Sequence, residues 1–219
     1  MELKYIGVVA LALSPALTIA EGVDGNNLTI GFGTVIGDRE IFGEDPSSSL
    51  FFGGSLNVFL TDAVYAIGSI GNQRIQWEFD STSEVLSSSI TNFGAGLGYE
   101  SPVSDTSSLY IQGGFSIGSG AIDYEAPGQS ESYDVNSNSL IIGFGLRGLS
   151  EHASWAFGAG YQSTNIKYDD QLGFEDEEST DVTFNGQIFF VVSNDLLIGP
   201  AVTTDFDTSL ITANLRYKF

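Results

Sequence analysis

The last eleven residues, 209–219, read S-L-I-T-A-N-L-R-Y-K-F. Ile211, Ala213, Leu215, Tyr217 and Phe219 fall on one parity, and Thr212, Asn214, Arg216 and Lys218 on the other. Side chains of a strand alternate between its two faces. One face is therefore wholly apolar and ends in aromatics, and the other is wholly polar. Chain ends usually fray, yet here the pattern persists to the terminal residue. About ten residues is the length of a tilted strand crossing a bilayer. The chain is expected to close on a membrane-spanning strand.

The front of the chain points the same way. Lys4 precedes an apolar run over residues 6–13, which is too short for a membrane-spanning helix. Ser14-Pro15 breaks the run, and Thr18-Ile19-Ala20 supplies small residues where a signal peptidase looks. Residues 1–20 are expected to be a cleaved secretory signal peptide, and residues 21–219 a single domain. No later segment reaches 18 consecutive apolar residues. Any insertion into lipid must then use strands, because only helices and closed barrels satisfy their backbone there.

Twenty-seven glycines, sixteen phenylalanines and nine tyrosines favour an all-β chain. There is no cysteine, which excludes disulfides and thiolate chemistry. The net charge is −21, and removing Glu2 and Lys4 with the signal peptide leaves it unchanged. Such a chain is not a nucleic-acid binder, since phosphate contacts need basic patches.

Alternation marks ten strands, at about residues 28–36, 50–60, 63–79, 89–100, 108–122, 138–149, 153–167, 181–192, 196–204 and 209–219. Pro200 predicts a bulge or a break in pairing within the ninth, and a count of eight is the alternative. Residues 37–49, 80–88, 123–137 and 168–180 read as long polar loops, the first, third and fourth of them acidic. The other connections, 61–62, 101–107, 150–152 and 193–195, are mostly short. Transmembrane barrels combine short periplasmic turns with longer external loops. On most strands one parity is large and aromatic, which suits lipid, and the other is rich in Gly, Asn, Gln and Thr. Strand three is assigned the same way, with Tyr65, Ile67, Ile75, Trp77 and Phe79 on the lipid side. A soluble barrel would reverse this, with a bulky apolar interior under a charged exterior. The expected fold is a closed antiparallel up-and-down transmembrane β-barrel.

With these signals the chain resembles the small bacterial outer-membrane β-barrel proteins, the superfamily of the outer-membrane protein A and X barrels and their porin-like relatives. The resemblance covers the mature chain and is architectural. It implies Tyr217 and Phe219 as the signal read by the barrel-assembly machinery, with periplasmic chaperones, outer-membrane lipid and lipopolysaccharide as further partners. It implies a monomer in the outer membrane, exported through the periplasm.

Arg74, Glu78, Arg147 and Gln162 fall on the polar parity and are expected to line the lumen. They either leave a narrow channel, helped by space above the inward glycines, or pair internally and plug a small barrel. Asp169, Asp170, Glu175, Asp176, Glu177 and Glu178 could gather a divalent cation, since hard cations prefer several carboxylate oxygens. Their spacing is not that of an EF-hand, and the alternative is a solvated, self-repelling loop. Gly94-Ala95-Gly96 and Gly143-Phe144-Gly145 lie on strands and are not dinucleotide fingerprints. The only histidine, His152, falls in a short turn. Enzymes of this class rely on histidine, so no catalytic residue and no cofactor is assigned. The expected role is structural or surface-interacting, the alternative is a porin-like channel, and an enzyme ranks third.

Overall fold

In the computed structural model, residues 25–37, 46–79, 82–168 and 176–219 are described. The expected signal peptide lies outside the described residues. Ten strands form one sheet: β1 (Asn27–Gly37), β2 (Ser48–Phe59), β3 (Val64–Phe79), β4 (Glu84–Ser104), β5 (Ser107–Ala126), β6 (Gln129–Leu149), β7 (Ala153–Tyr168), β8 (Glu177–Ser193), β9 (Leu196–Thr204) and β10 (Thr208–Lys218). Each is antiparallel to its sequence neighbours, and β1 pairs with β10 to close the barrel. The count is ten rather than eight.

Closure rests on the C-terminal strand. β10 pairs with β1 from Asn27–Lys218 to Gly37–Thr208, and with β9 on its other edge. The Phe219 N–H donates to the Asn26 carbonyl at 3.1 Å, so pairing continues to the last residue. No edge strand is left, which removes the pairing hazard of an open sheet.

Nine of the ten strands place their sides as the alternation predicts. Leu28, Ile30 and Phe32 of β1, Phe93 and Leu97 of β4, and Leu140, Ile142 and Phe144 of β6 are outward and exposed. Thr29, Ser55, Asn92, Ser139 and Asn214 are inward and buried. β3 is the correction. Tyr65, Ile67, Ile75, Trp77 and Phe79 point inward and are buried, whereas Ala66, Gly68 and Ile70 face outward. Beyond the membrane-facing band a strand has water outside it. For Ile75, Trp77 and Phe79 an apolar parity there gains most by turning inward, whereas Tyr65, lower on the strand, is held inward by its contact with Arg147.

The strands differ in length. β4, β5 and β6 have 21, 20 and 21 residues, whereas β1 and β10 have 11 each and β9 has 9. The barrel is taller on the β3–β7 side, at the end away from the termini. Residues 123–137, expected to be a loop, are mostly paired strand: β5 and β6 stay in register to Ala126–Gln129. A two-residue turn, Pro127-Gly128, joins them, with Gly128 at φ 83°. Proline presets the first turn dihedral, and glycine accepts the positive second one. The expected loop 80–88 also shortens, because β4 already begins at Glu84. Pairing of β9 with β10 runs unbroken through Pro200–Ala213. On the β8 side it skips from Gln187–Ala201 to Phe190–Ile198, next to the residue that has no N–H to donate.

Candidate functional site: the closed barrel interior

The interior has three levels, and the lowest is at the end carrying the termini. Arg147 projects inward from β6 with none of its surface exposed, and its guanidinium pairs with the Glu100 carboxylate from β4. The same guanidinium lies over two aromatic rings, 5.1 Å from the Tyr65 centroid and 5.4 Å from that of Tyr110. Such stacking adds to the ion pair where water is excluded. On the opposite wall Arg216 Nε donates to Thr29 Oγ1 at 2.9 Å, and its guanidinium stacks on Phe189 at 3.9 Å. Leu197, fully buried, fills the space beside them.

Three inward glycines are sockets rather than empty space. A methyl group built on Gly98 would overlap the Tyr65 ring, and one on Gly145 or Gly158 would overlap the Tyr110 hydroxyl. The wall is thin at the positions where the two tyrosines lean across to flank Arg147. At Gly145 and Gly158 this corrects the alternative in which inward glycines widen a lumen.

The middle level is uncharged and polar. Ser139 and Thr164 hydroxyls lie 2.9 Å apart, Gln162 Nε2 donates to Thr164 Oγ1 at 2.9 Å, and Asn214 Nδ2 donates to Thr212 Oγ1 at 2.9 Å. The upper level is apolar. Ile75, Trp77, Phe79, Leu86, Ile90, Ile122, Val135, Ile166 and Tyr168, from five strands, form a buried cluster. Val35, Phe51 and Leu210 form a smaller one on β1, β2 and β10. Burying apolar side chains contributes about 1.5–3 kcal/mol for each large one, so this level adds cohesion to the upper wall.

Arg147 and Gln162 line the interior as their parity predicts. Arg74 and Glu78 do not: both are exposed on the outer face of β3. They share the polar parity of that strand, and the inversion of β3 carries them outward. Of the expected cation ligands, Asp169, Asp170 and Glu175 lie outside the described residues. Glu177 and Glu178 point to opposite faces of β8: Glu177 accepts from the Tyr168 hydroxyl at 3.4 Å, and Glu178 from Asn165 Nδ2 at 3.3 Å. Among the described residues no three acid or histidine side chains gather as a metal site. His152 is exposed in the turn between β6 and β7, beside Glu151 at 4.0 Å. Tyr217 and Phe219 are outward and exposed, with ring centroids 6.4 Å apart.

The sequence reading missed Glu100, Tyr65, Tyr110 and Arg216. Glu100 was visible as a single charge on the inward parity of an otherwise uncharged stretch, the same signal that marked Arg147, and Arg216 shared its polar parity with Lys218. The aromatic partners carried no such mark, because an inward tyrosine and a lipid-facing one look alike in a single strand.

A closed antiparallel barrel with an apolar exterior around a polar interior is the architecture of a bilayer-spanning β-barrel protein. The profile of the outer membrane protein beta-barrel domain matches residues 6–219, and the chain belongs to that family. Its place is accordingly the bacterial outer membrane. No curated protein matches the chain in sequence. Solved structures share the fold. The transport unit of the autotransporter AIDA-I from Escherichia coli aligns over 99% of both chains, with 10% identity and a TM-score of 0.58. The outer membrane protease OmpT from Escherichia coli aligns over 92% of this chain and 99% of its own, with 12% identity and a TM-score of 0.53. The attachment invasion locus protein Ail of Yersinia pestis aligns over 90% and 99%, with 15% identity and a TM-score of 0.42.

Proposed function

We propose that the protein is a non-conducting, non-enzymatic surface barrel that presents its far end, with the tall β4–β6 strands, to the outside of the cell. Its termini would then face the periplasm, as short turns at that end favour. Tyr217 and Phe219, stacked on the outer face of the closing strand, fit recognition by the barrel-assembly machinery during insertion. The observation carrying the reading is the filled interior wall, with a buried, ring-flanked Arg147–Glu100 pair below and an apolar cluster above. A water-filled pore would keep such charges solvated and would not collect tryptophan, phenylalanine and isoleucine across its mouth. The exposed, weakly partnered His152 supports the non-enzymatic part, since general acid–base chemistry needs partners in hydrogen-bond reach. Planar-bilayer recording on refolded protein tests it. The wild type is expected to give no sustained conductance. An Arg147→Ala variant is expected to stay closed too, because the apolar level lies in series. Steady wild-type conductance would make the protein a channel.

A further inference from the structure

The seams between neighbouring strands of the barrel are not equally closed. The ladder of β10 with β1, where the two ends of the chain meet, runs without a skip from Asn27–Lys218 to Gly37–Thr208. The ladder of β8 with β9 skips from Gln187–Ala201 to Phe190–Ile198, and its register shifts again between Val191 and Ser193. Ile188 and Phe189 on one strand therefore stand beside Gly199 and Pro200 on the other without pairing.

The cause lies in single backbone groups. Successive residues of an antiparallel strand turn their N–H and C=O alternately to its two neighbours. The Lys218 N–H donates to the Asp195 carbonyl at 2.8 Å, so counting on from Asp195 the odd-numbered residues of β9 bond to β10. The even-numbered ones, Pro200 among them, turn to β8. The Val191 N–H donates to the His152 carbonyl at 3.0 Å, so the odd-numbered residues of β8 bond to β7, and Ile188 turns to β9. Pro200 thus faces Ile188 with a carbonyl but no N–H. The Ile188 carbonyl loses the donor that any other residue would supply. It leans over Gly199 instead, where an added side chain would overlap it. On the β10 side the proline removes nothing, and Pro200–Ala213 stays in register.

The gap lies in the lipid-facing wall. Ile188, Phe190, Ile198 and Val202 flank it with exposed side chains. Water cannot stand in for the missing donor there, so an unmade hydrogen bond weakens this wall more than it would a sheet in water. Behind the gap Phe189 and Leu197 are fully buried, and Phe189 carries the Arg216 guanidinium. We infer that this seam is an opening built into the barrel: the wall breathes between β8 and β9 rather than where the chain ends meet, and it opens toward lipid. Such opening needs no ion conduction, because the side chains behind the gap are apolar.

Amide hydrogen exchange on the protein refolded into phospholipid vesicles tests it, since exchange reads local opening. Ile188 and Val202 report on the β8–β9 seam. Ile30 and Leu215, which stand opposite each other across β1–β10, are the reference. One hydrogen bond is worth roughly a factor of ten in such an equilibrium. Exchange at Ile188 and Val202 is therefore expected to be about tenfold faster than at the reference pair. Pro200→Ala returns the N–H and is expected to slow the seam by about the same factor, leaving Ile30 and Leu215 as they were. Should that variant fail to insert, the wild-type comparison decides by itself. Equal exchange at the two seams, or faster exchange at Ile30 and Leu215, would overturn the inference. So would a Pro200→Ala variant that inserts and exchanges like the wild type. Steady wild-type conductance would instead strike the non-conducting reading and leave the seam standing.

Discussion

Arg147 is held by electrostatics that work only as a set. Its guanidinium has a carboxylate on one side and tyrosine rings around it, with no exposed surface. Removing one partner of a buried pair strands the other charge, at a cost of about 3–5 kcal/mol, whereas replacing both by apolar groups of similar size is often neutral. Arg147→Ala is therefore expected to lower urea-unfolding stability by about 3–5 kcal/mol. Arg147→Met combined with Glu100→Leu should recover most of the loss. A single variant as stable as the wild type would contradict a buried pair. At the far rim, burial raises the Glu177 carboxyl above its ordinary pKa, partly offset by the Tyr168 hydrogen bond. A raised acid pKa favours the protonated folded state. The associated stability is complete below the unfolded value and is lost as pH rises through the folded one. Glu177→Gln should accordingly stabilise the protein at neutral pH, with the difference fading as pH falls through the raised value toward the ordinary one. Unfolding midpoints at pH 4 and 7 check it, and a difference that grew on acidification would reverse the sign.

At the scale of the element, the β5–β6 hairpin shows how a strand can look like a loop. Asp123, Glu125, Glu131 and Asp134 gave these residues a solvated appearance. Yet Ile122 and Tyr124 alternate with Asp123 and Glu125, Tyr133 and Val135 flank Asp134, Glu131 shares the Tyr133 parity near the tip, and Pro127-Gly128 marks the turn. The acids decorate a ribbon whose inward residues join the upper cluster. Backbone pairing reaches within two residues of the tip, so a glutamate-specific protease should leave Glu125 and Glu131 intact in folded protein. Gly128→Val forces a branched residue to a positive φ, at a cost of about 1–3 kcal/mol. Cleavage at both glutamates should then appear. Ready cleavage in the wild type would mean that the ribbon is not formed.

Across the whole molecule, an apolar exterior and a polar interior are consistent because lipid, not water, is the outer solvent. The barrel is nevertheless not uniformly inside-out. Above the membrane-facing band on the taller side, water surrounds it, and the ordinary rule returns: Trp77, Ile122 and Val135 turn inward while Arg74 and Glu78 turn outward. One strand, β3, carries both regimes on a single parity. Its inward side passes from Tyr65 beside the ion pair, through Ser69 and Gln73, to Trp77 in the apolar cluster. This is the physical reason that a face rule applied to the whole strand misplaced Arg74 and Glu78.

Alternation, glycine and aromatic content, the lack of a long apolar helix and the pattern of the final strand determined the all-β barrel, its ten strands and the sides of nine of them. These are local signals, since a period of two is written in consecutive residues. Tertiary structure alone decided that Arg147 meets Glu100, that Tyr65 and Tyr110 flank them over Gly98, Gly145 and Gly158, and that the upper interior wall is apolar. Each of these depends on register between strands far apart in sequence and on how far each strand rises above the membrane. No single strand encodes which residues stand opposite it across the barrel, or which solvent surrounds it at that height.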